Sequence, residues 1–179
     1  MVYVPPTNFA PVERRLYRSA APLPINFSFI KLLGIKTVIW LAVEDPSDAF
    51  IDFVDENNIQ LEHLGLLNEG EKPWDPISDS SIEEALELIM DLNNYPVLIC
   101  CSMGRHRTGA VVGCLRKLQD WSFASLVDEY QRFTGLKGER ANVELLIENF
   151  DLTRIRGILN TKFDEQGRLP PWFLQQIST

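Results

Sequence analysis

The chain has 179 residues, 45% hydrophobic and 23% charged, with 25 acidic side chains against 17 basic ones for a formal charge of −8. A chain of this length buries roughly 70% of the surface that its unfolded form exposes, so one domain with one core is expected. The acidic balance excludes the basic footprint of a nucleic-acid binder, and the longest apolar run, Val38–Val43, is far short of the about 20 residues a membrane helix needs.

The elements follow in chain order. Asn26 precedes Phe27, Phe29–Ile30 and Leu32–Leu33, with Gly34 after them, which predicts a capped amphipathic helix. Thr37–Leu41 is a β-branched and apolar run that predicts a buried strand, and Asp48–Asn57 carries Phe50, Ile51, Phe53 and Val54 at helical spacing. Ile59–Leu64 alternates as a strand does. Gly65–Ile77 holds glycines, prolines and charges without periodicity and predicts a long loop, a length that is often functional. Ser80-Ser-Ile-Glu83 has the spacing of a capping box and predicts a helix through Leu92. Pro96–Cys100 is a fully apolar strand, followed by a glycine-containing loop and a helix over Thr108–Gln119, then helices at Phe123–Arg132 and Ala141–Phe150. Strands alternating with helices, then helices alone, predict an α/β fold with a central, largely parallel sheet flanked by helices. Trp40, Phe50, Phe53 and Trp121 are expected in its core.

Three cysteines, with Cys100 and Cys101 adjacent and Cys114 apart, make no disulfide framework, and free thiols suit a reducing, cytoplasmic setting. The N-terminus shows no basic region followed by an apolar segment, so no secretory signal is expected. With His63 and His106 the only histidines and no Cys-x2-Cys pair, no metal site and no cofactor is expected.

The stretch Cys101-Ser-Met-Gly-Arg-His-Arg107-Thr108-Gly109 lies between a buried strand and a helix N-terminus. Backbone N–H groups in such a turn have no intrahelical partner and, with roughly half a positive charge at the helix end, form a cradle for an anion. Gly104 lets the backbone bend, and Arg107 offers a planar fork for two phosphate oxygens. From Val97 to Gln119 there are Arg105, Arg107, Arg116 and Lys117 and no acidic residue, the opposite of the chain's average. Cys101 sits at the mouth of this cradle. A free thiol has a pKa of about 8.5, but a helix N-terminus and an arginine lower thiol pKa values to roughly 3.5–7.5 and so supply thiolate nucleophile at neutral pH. Thr108 is placed to donate its hydroxyl to the sulfur when the thiolate leaves again.

This Cys-x5-Arg loop resembles that of protein tyrosine and dual-specificity phosphatases. Its longer context, through Gly113-Cys114-Leu115-Arg116-Lys117 and Asp128-Glu129-Tyr130-Gln131-Arg132-Phe133, together with Asn8-Phe9, Leu16-Tyr17-Arg18-Ser19 and Asn26-Phe27-Ser28-Phe29 upstream, is similar to the plant-and-fungal atypical dual-specificity phosphatases. The resemblance implies a phosphatase-like domain over residues 1–155, with residues 156–179 as a tail packed on it through Pro170-Pro171-Trp172-Phe173-Leu174. It implies catalytic roles for Cys101 and Arg107, and substrate binding by Ser102, Met103, Gly104, Arg105, His106 and Thr108. It implies a phosphorylated protein or an inositol pyrophosphate as substrate and partner proteins of the same family, with no nucleic acid and no membrane. Many relatives carry His before the nucleophile where this chain has Cys100, which ends an apolar strand and is expected to face the core.

Related phosphatases supply a proton from an Asp on a loop upstream of the nucleophile. Here Trp74-Asp75 lies between Pro73 and Pro76, so Asp75 is the first candidate, with Glu71, Glu69 and Asp79 as alternatives and a leaving phosphate needing little protonation at all. Lys72, Arg105, and further off Arg18, Lys137 and Arg140, are candidates to meet additional phosphates. The rival reading from another class is a pseudophosphatase or phosphate-binding scaffold acting through protein partners; loss of Cys101 or Arg107 would favour it, and both are present.

Overall fold

The computed structural model describes residues 2–67, 69–72, 74–135, 141–162 and 169–173. Five strands form one sheet in the order β1-β2-β5-β3-β4. β1 (Ala10–Glu13) and β2 (Leu16–Ala20) are an antiparallel hairpin whose register shifts between Pro11 and Glu13, where proline has no N–H to give the ladder. Every other pairing is parallel: β5 (Val97–Cys101) runs between β2 and β3 (Thr37–Trp40), and β3 pairs with β4 (Gln60–His63) on its far side. All residues of β3 and β5 are buried, as central parallel strands covered on both faces must be.

The helices are α1 (Phe27–Leu33), α2 (Asp48–Glu56), α3 (Asp79–Met90), α4 (His106–Leu118), α5 (Phe123–Thr134), α6 (Ala141–Asn149) and α7 (Thr153–Lys162). α1 stops at Gly34, which takes φ +62°, and Ser47 and Ser122 cap α2 and α5 by accepting from the N–H groups of Phe50 and Ser125. The cap of α3 is Ser78, which accepts from Ser81 N–H, two residues before the capping box expected at Ser80; a serine on either side of Asp79 satisfies the same local rule. α1 and α2 pack through Phe27 and Phe53, whose rings stack with centroids 4.4 Å apart, and Phe50 meets Trp40 of β3 at 5.4 Å. α4 is enclosed by α3, α5 and α6, and its residues from Thr108 to Arg116 are all buried. α7 crosses residue 155 and buries Ile155 and Leu159, while Leu169 and Phe173 are buried farther on. Leu174, the last residue of the tail motif, lies outside the described residues.

Two expectations are corrected, one about the core and one about the cations near the anion cradle. Trp121 is 38% exposed and lies over the guanidinium of Arg116, 4.3 Å from ring centroid to carbon, so it covers a buried charge from the solvent side. Arg116 itself turns inward to Glu13 (2.5 Å), Glu129 (2.9 Å) and the carbonyl of Val12 (2.9 Å), and Lys117 donates to the carbonyls of Ile147 and Phe150 at the end of α6. These two cations therefore hold the helices together instead of contributing to the anion cradle. Among the described residues no helix is long and apolar enough to cross a membrane.

Candidate active site

β5 lies between β2 and β3 and runs parallel to both, so the three carboxyl ends open on one edge of the sheet. In open parallel sheets, ligands bind in the crevice outside the carboxyl ends of the strands. Cys101 is the last residue of β5, and four residues separate it from the first turn of α4. Its carbonyl accepts from Ala21 N–H (2.8 Å) and Gly104 N–H (3.2 Å), which closes the loop tightly onto the end of β2. Gly104 is required there twice over. It takes φ +65°, and a Cβ would stand 2.5 Å from the backbone of Ser19 and Ala20.

A shallow pocket of about 170 Å³ opens above this loop, lined by Val43, Glu44, Cys101, Ser102, Met103, Arg105, His106 and Arg107. The structure thus brings together Cys101, Ser102, Met103, Arg105, His106 and Arg107, with the thiol only slightly exposed and Met103 half exposed at the rim. Arg107 donates to Gly65 O (3.0 Å) and, at 3.5 Å, reaches Leu41 O. Gly65 makes this possible, because a Cβ there would lie 2.0 Å from Ala42 O. Burial lowers the pKa of Arg107, opposed by Cys101 and by the carboxylates of Glu71, Glu44 and Asp75. An arginine held this way stays cationic in the physiological range.

His106 turns its Nδ1 to the hydroxyl of Tyr130 on α5, 2.8 Å away, so the ring is held from behind. Arg105 lines the pocket, and its Nε is buried with no hydrogen-bond partner among the described residues. Thr108 is fully buried, and its hydroxyl also lacks a partner among them, so the expected bond to the Cys101 sulfur is not made in this structure.

Asp75 lies on the flank of the site. It lines a smaller cleft with Pro76, Ile77, His106, Arg107, Ala110 and Val143, and so shares Arg107 and His106 with the Cys101 pocket without lining that pocket. Its carboxylate accepts from Lys72 N–H (2.8 Å) while its own N–H donates to Lys72 O (2.9 Å). The Lys72 side chain is exposed. Arg18, considered as a further phosphate cation, is 1% exposed beneath the loop and cannot meet a substrate directly. Lys137 and Arg140, and Pro73 within the acid loop, lie outside the described residues.

Cys100 and Cys114 are fully buried, and burial pushes both thiols well up from their ordinary range. Packing is therefore their role, as expected for Cys100.

Glu44 was not legible as a site residue. It accepts from the hydroxyl of Ser102 (2.9 Å) and lines the pocket, and a backbone hydrogen bond, Ser102 and Arg107 together hold its carboxyl below the usual range. The available signal was topological: Glu44 follows β3, and loops at the carboxyl ends of parallel strands line such sites.

The chain matches the Tyrosine phosphatase family over residues 3–166. It is 57% identical over 152 residues to the "Putative tyrosine-protein phosphatase OCA1" of Yarrowia lipolytica, covering 85% of this chain and 60% of that protein. The protein of the same name in Meyerozyma guilliermondii is 52% identical over 157 residues, with 85% of each chain covered. The chain therefore spans somewhat under two thirds of the first relative and most of the second. Among solved structures, the core catalytic domain of the PP-IP phosphatase SIW14 from S. cerevisiae, in complex with citrate, superposes with a TM-score of 0.82 at 34% identity, over 94% of this chain and 98% of that one. TpbA of P. aeruginosa shares the fold, with a TM-score of 0.66 at 20% identity over 87% of this chain and 92% of that one. A largely parallel sheet flanked by helices, with Cys101 and Arg107 lining one pocket, and a family match across nearly the whole length, lead to one assignment: the chain belongs to the tyrosine phosphatase family and is a cysteine-type phosphatase.

Proposed function

We propose that the chain hydrolyses phosphate esters or anhydrides at Cys101 through a phosphocysteine intermediate. The observation that carries this reading is the convergence of Cys101 and Arg107 on one pocket at the N-terminus of α4. A phosphoryl group seated there meets the unpaired N–H groups of the loop and first helical turn, with the Arg107 fork across two of its oxygens. The Cys101 sulfur attacks phosphorus, an S–P bond forms, and the bond from phosphorus to the leaving oxygen breaks. Arg107 and the loop N–H groups take up the charge on the equatorial oxygens, and donors fixed in advance cost no reorganisation as that charge develops. A water then attacks phosphorus, the S–P bond breaks, and inorganic phosphate leaves with the thiolate restored. Ser102, Met103, Gly104, Arg105, His106 and Thr108 shape the cradle. Asp75, beside Arg107, is the proposed donor of a proton to the leaving oxygen, and exposed Lys72 meets charge that the substrate carries outside the pocket.

The small pocket holds a single phosphoryl group and leaves the rest of the substrate at the rim. Likeness to SIW14 supports an inositol pyrophosphate. A phosphotyrosyl protein is the second reading, supported by the exposed apolar surface of Met103 and of Trp74, next to Asp75. We place the protein in the cytoplasm, in keeping with its free thiols, and assign residues 1–155 to the phosphatase domain and residues 156–179 to a tail whose described residues Leu159, Leu169 and Phe173 pack on it, with partner proteins of the same family. Phosphate release from a phosphotyrosyl peptide and from a diphosphoinositol phosphate tests the proposal. Wild type releases phosphate from at least one and Cys101→Ser from neither; undiminished release by Cys101→Ser would overturn the mechanism.

A further inference from the structure

Behind the loop, on the side away from the pocket, two side chains hold its carbonyls. Arg18 of β2 donates from Nη2 to Gly104 O (3.1 Å), and Asn8 donates from Nδ2 to Met103 O (3.0 Å) and Phe133 O (3.3 Å). The Arg18 guanidinium is pressed against the Phe133 ring, 3.7 Å from its centroid. A charged side chain that is 1% exposed, with Nε and Nη1 lacking partners among the described residues, is costly unless its position serves something. Asn8 takes φ +54°, a conformation that asparagine tolerates better than most residues. Ala10 pairs with Arg18 across the hairpin, so Asn8 and Arg18 both lie near its open end, and they grip consecutive peptides of one loop.

A trans peptide points its C=O and N–H in opposite directions. With Gly104 O held by Arg18, the N–H of Arg105 turns the other way, toward the pocket. With Met103 O held by Asn8, the N–H of Gly104 is left on Cys101 O, at 3.2 Å, closing the turn that begins at the sulfur-bearing residue. Phe133 joins the two grips, since its ring stacks on Arg18 and its carbonyl shares Asn8.

We propose that Arg18 and Asn8 are positioning residues, joined through Phe133 at the end of α5, that hold the carbonyls of Met103 and Gly104 and so keep the turn closed on Cys101 and the N–H of Arg105 facing the pocket before an anion arrives. The proposal rests on the loop being the phosphate site described above. It needs no contact between either residue and the substrate.

Orthovanadate binding and steady-state turnover, measured on Arg18→Met, Arg18→Lys and Asn8→Ala with thermal melting of each, test the idea. Arg18→Met and Asn8→Ala bind orthovanadate at least about tenfold more weakly, and kcat falls about 10²-fold, the loss typical of one misdirected oxyanion donor. Arg18→Lys, which keeps a charged donor, recovers part of both. A role confined to stability would lower the melting temperature and leave anion affinity and kcat of the folded protein unchanged. Wild-type affinity and turnover in folded Arg18→Met would overturn the proposal, and should that variant not fold, the same result in Arg18→Lys and Asn8→Ala would do so. A wild type that binds orthovanadate but turns over no phosphate substrate would refute the proposed chemistry, while weaker binding by the variants would still support the clamp.

Discussion

Replacing Gly104 by alanine adds a single carbon where the loop passes closest to the sheet. At φ +65° an alanine carries about 1–2 kcal/mol of backbone strain. Its Cβ would also stand 2.5 Å from the backbone carbon of Ser19 and the nitrogen of Ala20, and neither can move without disturbing the pairing of β2 with β5. Strain alone lowers the melting temperature by roughly 2–8 °C for a domain of this size. Relief of the clash pushes the loop toward the pocket and turns the Arg105 N–H away from its bearing. One lost donor of this kind costs roughly 10²–10³ in kcat. Thermal melting and turnover at 25 °C, where the variant remains folded, separate the two effects. A Gly104→Ala protein with reduced stability and wild-type kcat would refute the argument that the tight approach of this loop to Ser19 and Ala20 sets the geometry of catalysis.

Asp75→Asn lowers kcat on an aryl phosphate by 10²–10⁴, with a smaller loss on a diphosphate, whose leaving group needs less protonation; unchanged turnover of both ends the candidacy of Asp75. Arg116→Met leaves the carboxylates of Glu13 and Glu129 facing a buried apolar group, and urea unfolding should show a loss toward the lower end of about 3–5 kcal/mol, because both carboxylates keep some contact with solvent. Cys100 and Cys114 have thiol pKa values raised by burial, so the folded chain keeps protons that the unfolded chain releases above a pH of about 8.5. The folded state then binds more protons than the unfolded one, and stability falls as pH rises from there, by up to about 1.4 kcal/mol per pH unit for each thiol. Buried Tyr95 adds to this at higher pH, and Cys114→Ala flattens the decline, which denaturant titrations between pH 8 and 10 measure directly.

The strand and helix alternation from Phe27 to Phe150 was legible because its apolar periods are long and its caps are local. Cys101, Arg107 and the loop between them were legible because the chemistry is carried by residue types at fixed spacing. The β1–β2 hairpin was not, since Pro11 interrupts one strand and Arg18 places a charge at a core position of the other. That charge is intelligible only once the loop is seen above it. Trp121 read as core because nothing local announces that a buried Arg116 needs a cover. Ser80 was preferred over Ser78 because Glu83 completes a pattern that the fold does not use. Glu44 and Asn8 escaped because their partners, Ser102 and Met103, are 58 and 95 residues away, and such pairings depend on strand order.

Acid quenching of the enzyme during turnover, followed by peptide mass analysis, examines the covalent step itself. The account predicts a phosphoryl group on the peptide containing Cys101, absent from Cys101→Ser and accumulating when hydrolysis of the intermediate is slowed. Phosphate released at the full wild-type rate with no phosphorylated Cys101 at any quench time, or a phosphoryl group on another residue, would contradict it.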